Sequence, residues 1–161
     1  MRFLIQRVSE ATVHSGGELL GRVAPEHAPG LLVLAGFGMA DTMELPESPA
    51  WEKMLDKLLD LRILSDSQGK LNLSLRDTGG GLLLVSQFTL YADCRKGRRP
   101  SFAGFSAPPA LAEQLYDSLV RDLRERHTGP VETGRFGAEM QIGLVNDGPV
   151  TIALDSADFS S

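Results

Sequence analysis

The sequence predicts an α/β fold in which mainly antiparallel or mixed β-sheets lie in layers flanked by two helices. Three observations carry this expectation. Two segments, one opening at Ser48-Pro49 and one at Pro108-Pro109, place apolar residues at helical spacing. Short runs of alternating or continuous apolar residues precede, separate and follow them. No repeat, low-complexity tract or linker divides the 161 residues, so residues 1–161 are expected to form one domain with its own core.

The elements follow in order. Phe3–Val8 reads as a strand, with Phe3, Ile5 and Arg7 on one face and Leu4, Gln6 and Val8 on the other. The alternation weakens through Ala11 and Val13. Ser15-Gly16-Gly17 then turns the chain into a returning strand, Glu18–Val23, making a hairpin. Pro25–Gly30 reads as a loop. Gly30–Gly36 is nearly all apolar, as a strand covered on both faces requires. Ser48 caps a helix with Pro49 at its first position, and Trp51, Met54, Leu55, Leu58 and Leu59 form its buried stripe. Leu61–Leu64 and the alternating Leu71, Leu73 and Leu75 predict two short strands around a turn at Asp66–Gly69. After the break at Gly79–Gly81, Leu82–Tyr91 is the most strand-like segment of the chain. The second helix carries Ala112, Leu115, Tyr116, Leu119 and Leu123 and is expected to stop at Gly129-Pro130. Two strands, Ala138–Val145 and Val150–Leu154, finish the chain around Asn146-Asp147-Gly148-Pro149.

Composition narrows the function. The first residues alternate apolar and polar and lack the apolar run of a signal peptide, and Leu31–Phe37 is too short to span a bilayer, so a cytoplasmic protein is expected. The lone Cys94 rules out an intrachain disulfide and fits a reducing compartment. A net charge of −5 argues against coating a nucleic-acid backbone over a broad face, and no DNA partner is expected. It leaves room for a local basic patch on a short RNA end.

The familiar hydrolase signatures G-x-S-x-G and H-E-x-x-H are missing from the sequence. His14, His27 and His127 fall beside a turn, in a loop and at a helix end, and read as solvated or capping residues. No ligand-like spacing points to a metal, and no cofactor is expected. Cys94 has no base beside it in sequence. Gly36-Phe37-Gly38 lacks the third glycine and the following helix of a dinucleotide fingerprint and reads as a strand-end turn. Three segments hold more. Arg95, Lys96, Arg98 and Arg99 put four cations into five residues, and a solvated loop and a phosphate contact stand level as explanations. Ser86, Gln87 and Thr89 follow the apolar Leu82–Val85 within four positions, either as a strand emerging into solvent or as the wall of a pocket whose polar groups need partners. Asn146–Pro149 reads alone as a plain turn, although a cis X-Pro bond costs only about 0.5–1 kcal/mol there.

On these residues the chain resembles the D-aminoacyl-tRNA deacylases of the bacterial and eukaryotic type. The matching segments are Gln6-Arg7-Val8, Ser86–Leu90 (SQFTL), Arg98–Phe102 (RRPSF) and Phe136–Thr151 (FGAEMQIGLVNDGPVT), and the likeness runs from Met1 to about Leu154. SQFTL combined with NDGPVT is specific, whereas either alone is weak. Met39–Ala50 departs from the family's pattern, and nothing is carried over there. The resemblance implies layered sheets flanked by helices. It implies a homodimer in which a cis Gly148–Pro149 peptide of one subunit enters the active site of the other, held by Arg7. It implies a substrate ester between a D-amino acid and the terminal adenosine of tRNA. Ser86, Gln87, Phe88 and Thr89 are assigned to the catalytic pocket wall, and Gly148 and Pro149, with Arg7 and Asn146, to substrate binding and chiral selection. Arg95, Lys96, Arg98 and Arg99 are the candidate RNA contacts. Thr89 as a nucleophile lacks a visible base, so a positioning role is preferred. Two other readings remain: a non-catalytic binder of tRNA 3′ ends, and a small-molecule esterase or amidase.

Overall fold

A computed structural model of the chain describes residues 1–27 and 29–159. Its frame is β1 (Arg2–Ser15), a strand paired along both edges. Phe3, Ile5 and Arg7 are buried on one face, as alternation requires. The phase then slips. Val8, Ala11 and Val13 are buried in a second cluster, and the register with the last strand shifts on both sides of Val8. That irregularity explains why the alternation fades in the sequence: a bulge moves the apolar set to the opposite face.

Gly16 and Gly17, at φ +57° and +85°, turn the chain into β2 (Glu18–Val23). β2 pairs with Ala11–Ser15 of β1, while β3 (Gly30–Gly36) pairs with Arg2–Val8 along the same edge. The helix α1 (Pro49–Asp60) begins as expected, with Ser48 Oγ accepting from the Trp51 amide and Pro49 at the first position. The small hairpin β4 (Leu64–Ser65) and β5 (Leu71–Leu73) is shorter than the sequence reading, and its second strand stops at Leu73. There Ser74 caps a single turn, α2 (Leu75–Thr78), by a reciprocal capping box with Asp77. The Ser-x-x-Asp pattern outranks the weak alternation that makes Leu75 look like a strand residue.

β6 (Leu82–Ser86) runs parallel to β3 and to β7 (Val131–Thr133). The expected strand to Tyr91 ends early. Its neighbours give out at Gly36 and Thr133, the Gln87 amide makes a last bond to Ala35 O at 2.7 Å, and Phe88–Tyr91 folds into a 3-10 turn. The helix α3 (Pro109–Arg126) carries the expected stripe but ends before Gly129-Pro130, where His127 is already extended. Gly129 serves packing instead, since a Cβ there would stand 2.2 Å from Gly79 O. His127 caps the helix end, its amide donating to Leu123 O, but is buried rather than solvated, with Nε2 2.8 Å from Gly80 O. The two expected C-terminal strands are one, β8 (Gln141–Asp155), running antiparallel along the other edge of β1, with Asn146–Pro149 inside it as an irregularity.

The sheet curls. β2 lies against β6 and β7, so that a Cβ at Gly21 would meet Thr133 O and Leu83. Val8, Ala11, Val13, Val23, Leu32, Leu83 and Val85 fill the inside of the curl. Leu31, Val33, Leu82 and Leu84 point the other way, onto Trp51, Leu55, Leu58, Leu115 and Leu119 of the helices. The all-apolar character of β3 and β6 follows from burial on both faces. Trp51 Nε1 donates to Asp122 and joins the helices, and Tyr116 donates to Leu84 O at 2.8 Å, tying α3 to the sheet. Among the described residues no helix is long and apolar enough to cross a membrane.

The close approach of β3 to the Gly79–Gly81 break has a testable consequence. A Cβ at Gly30 would stand 2.3 Å from Gly81 O and 2.8 Å from Val23 Cγ1. Gly30→Ala is expected to cost about 1–3 kcal/mol of stability through forced backbone displacement. Urea unfolding monitored by Trp51 fluorescence should show a lowered midpoint; an unchanged midpoint would contradict the packing described.

Candidate active site

The cavity follows from the parallel part of the sheet. β3, β6 and β7 all point their carboxyl ends the same way, and side chains beyond such ends line a crevice rather than a ladder. A cavity of about 660 Å³ opens there. One wall is Val85, Ser86, Gln87 and Phe88; another is Phe102–Gly104 and Ser106–Pro109; Phe136, Met140 and Ile142 close the apolar end. The volume suits a nucleoside-sized group.

Three of the expected pocket residues therefore come together. Ser86 and Gln87 are half-buried on the wall, and Phe88 is 58% exposed at its rim with its ring 5.1 Å from that of Phe102. Thr89 stands on the next position of the turn, exposed, its hydroxyl accepting a hydrogen bond from the Gln87 side-chain amide. An amide cannot take a proton from the hydroxyl, so this partner positions Thr89 without activating it. Ser106 Oγ donates to Phe88 O at 3.2 Å and holds the turn from the opposite wall. The sequence reading passes over Ser106 and assigns no role to Phe136 or Met140. Only folding brings these residues to Ser86, and the sole hint is that Phe136 and Met140 lie in a segment of the resemblance.

Glycines let the turn seat closely. A Cβ at Gly36 would stand 2.7 Å from Gln87 O, and one at Gly38 2.4 Å from the Tyr91 ring. Burial, with Asp41 and Asp155 nearby, pushes the Tyr91 hydroxyl up and keeps the phenol neutral.

Gly148 and Pro149 do not line the cavity of their own chain. They are exposed, on an irregular stretch of β8, and the bond between them is cis, as the sequence reading anticipates. Arg7 is 6% exposed and reaches this stretch from β1. Its Nε donates to Asp147 O at 3.0 Å and lies 3.1 Å from the Asp147 carboxylate, while Nη1 donates to Ile63 O at 2.8 Å. A buried guanidinium satisfied in this way fixes the loop it touches. Gly148 has φ +118°, and a Cβ there would stand 2.7 Å from Arg7 Nη2, so the position admits glycine alone without rearrangement. Asn146 accepts from the Val150 amide and donates to Thr151 Oγ1 at 3.0 Å, bracing the same stretch.

The four cations separate into two kinds. Asp93 and Ser101 pair across the neck of a loop whose tip carries them, next to Phe102 on the cavity wall. Arg95 is neutralised by Asp93 at 2.7 Å, which also holds the Asp93 carboxyl below its usual range. Lys96, Arg98 and Arg99 are exposed and, among the described residues, unpaired. Cys94 is exposed beside them with a free thiol. Among the described residues no group of three or more His, Cys, Asp or Glu is placed to hold a metal ion.

The family model described as D-Tyr-tRNA(Tyr) deacylase matches residues 4–155, and the chain belongs to that family. Curated relatives in it are each described as a D-aminoacyl-tRNA deacylase. That of Solidesulfovibrio magneticus is 56% identical over 99% of this chain and 98% of its own. That of Chlorobaculum tepidum is 53% identical over 97% of each. Among solved structures, one titled "c-Myc DNA Unwinding Element Binding Protein" is 37% identical, with a TM-score of 0.84 over 96% of this chain and 98% of that one. Another, titled a probable eukaryotic D-amino acid tRNA deacylase, shares the fold at a TM-score of 0.76 and 18% identity, covering 95% and 97% of the two chains.

Exposed cations on a loop that leads into a cavity wall can attract phosphates. Arg98→Ala with Arg99→Ala is therefore expected to weaken tRNA binding and to flatten the dependence of affinity on salt, by about 0.7 to 0.9 in log–log slope per lost contact. Titration of labelled tRNA at several salt concentrations checks this; an unchanged slope would return the loop to plain solvation.

Proposed function

We infer that this chain is a D-aminoacyl-tRNA deacylase, an ester hydrolase that frees tRNA from D-amino acids and leaves L-aminoacyl-tRNA intact. The observation that carries the reading is a nucleoside-sized cavity walled by Ser86, Gln87 and Phe88, with Lys96, Arg98 and Arg99, unpaired among the described residues, on the loop that leads into its wall at Phe102. The apolar end suits a base, the polar wall suits an ester, and the cations suit the phosphates that lead to it. A small-molecule esterase would have no use for the last of these. An aminoacyl ester is already activated, so water held in place and an oxyanion met by fixed N–H groups suffice.

Thr89 then positions substrate, and the terminal 2′-hydroxyl of the tRNA assists the attacking water. A second copy of the chain completes the site. Gly148 and Pro149 lie outside their own cavity, held outward by Arg7. Beside them β8 pairs with β1 only, among the described residues, and exposes Leu144 and Val145. An unpaired edge with apolar side chains favours docking. In that dimer main-chain atoms of Phe88 and of the partner's Gly148-Pro149 occupy the space an L side chain needs. The substrate is a tRNA 3′ end, and the compartment is the cytoplasm.

A filter of this kind works by a clash with Cβ, and glycine has no Cβ. Glycyl-tRNA is therefore expected to be hydrolysed with D-alanyl-tRNA, while L-alanyl-tRNA survives. Release of labelled amino acid from the three substrates at equal enzyme decides it. Survival of all three would defeat the hydrolase reading and leave a binder of tRNA ends; survival of glycyl-tRNA alongside L-alanyl-tRNA would defeat the exclusion mechanism.

The Thr89 assignment has its own outcome. Thr89→Ala is expected to keep measurable deacylation, reduced by about 10- to 100-fold through lost positioning. Complete loss in a folded variant, with an acyl-enzyme trapped on the wild type, would make Thr89 the nucleophile.

A further inference from the structure

We propose that Arg2 is a positioning residue for the site turn, acting on Phe88–Tyr91 from outside the cavity. The inference rests on the reading that Ser86–Thr89 form the site. Arg2 opens β1, opposite Gly36 of β3 on one edge and Asp155 of β8 on the other. From there its side chain makes three contacts. Nε donates to Asp155 Oδ2 at 2.6 Å, Nη1 donates to Leu90 O at 3.1 Å, and the guanidinium carbon stands 4.4 Å from the centre of the Tyr91 ring.

These contacts join two parts of the molecule that no other side-chain hydrogen bond joins among the described residues. Asp155 closes β8, the strand that carries Gly148 and Pro149. Leu90 and Tyr91 close the turn that carries Phe88 and Thr89. Tyr91 itself packs against Gly38, where a Cβ would overlap its ring. The turn is thus held at its start by Ser106 on Phe88 O and at its end by Arg2 on Leu90 O, with Thr89 between the two.

Geometry of this kind affects the reaction more than it affects folding. The Arg2 side chain is 45% exposed, and an ion pair so exposed contributes little to stability. A turn free to rock moves Thr89 relative to the ester, and small displacements lower the rate of a positioned reaction. Arg2 reaches neither the cavity nor the cationic loop, so substrate binding is spared.

The test compares wild type, Arg2→Met, Arg2→Lys and Gln87→Ala with D-aminoacyl-tRNA, and records thermal melting of each. Arg2→Met keeps an aliphatic side chain and removes both donors together with the cation over Tyr91. The expected result is a kcat lowered about tenfold with KM within about twofold of wild type and melting unchanged. Arg2→Lys, which can still donate to Leu90 O or to Asp155, should recover part of the loss. A wild-type kcat in Arg2→Met while Gln87→Ala is impaired would overturn this inference and leave the site reading standing. Loss of kcat only in step with lowered melting, without recovery in Arg2→Lys, would overturn it in favour of a structural role. Full activity in Gln87→Ala would overturn the site reading, and the inference with it.

Discussion

A strand whose two edges are both paired constrains everything around it. β1 bonds to β3 and β2 along one edge and to β8 along the other, so nearly all of its backbone donors and acceptors are committed within the sheet. A side chain on β1 therefore has a fixed address. Arg7 is buried there and cannot follow a mobile partner; the loop must come to it. The Asp147 carbonyl and carboxylate do so, and Gly148-Pro149 is presented as a consequence. Leaving a buried guanidinium without these partners is costly, so the contact holds the loop in place.

The same strand separates the two halves of the candidate site. β6 and its turn lie beyond β3, on one side of β1, and Gly148-Pro149 lies on β8, on the other side. The carboxyl ends of the parallel strands supply a cavity because no ladder continues past Gly36, Ser86 and Thr133. The polar residues that follow Val85 are thus turned into a wall and are not carried on as strand. On the function proposed above, one surface holds the substrate, the other presents a main-chain wedge, and a second copy of the chain brings them together.

Much of this was legible from residue pattern. β3, α1 and α3 show their true starts in sequence because burial on both faces, a Ser-Pro opening and a Pro-Pro opening are local signals. The hairpin at Gly16-Gly17 is legible in the same way, and the cis bond before Pro149 follows from the family resemblance. The errors share one cause. Leu82–Tyr91 has strand-forming residues throughout, but a strand lasts only as long as its neighbours, and β3 and β7 end sooner. Asn146–Pro149 looks like a hairpin turn, yet β1 is long enough to pair with both flanks and keeps β8 as one strand. His127 looks like a surface cap until the Gly79–Gly81 segment covers it.

The site divides in the same way. Residue types and order by themselves single out Ser86, Gln87 and Thr89, because polar groups directly after an apolar strand are unusual, whereas Arg7, Asn146, Gly148 and Pro149 stand out only through the family resemblance. Tertiary structure alone decided that Ser106 braces Phe88, that Asp93 neutralises Arg95 and leaves Lys96, Arg98 and Arg99 unpaired, and that Arg2 meets Leu90 across 88 residues. The physical reason is range. Periodicity, caps and turns act over a few residues and are written in sequence, whereas hydrogen bonds and charge pairs between distant residues depend on register and curl, which only the folded sheet establishes.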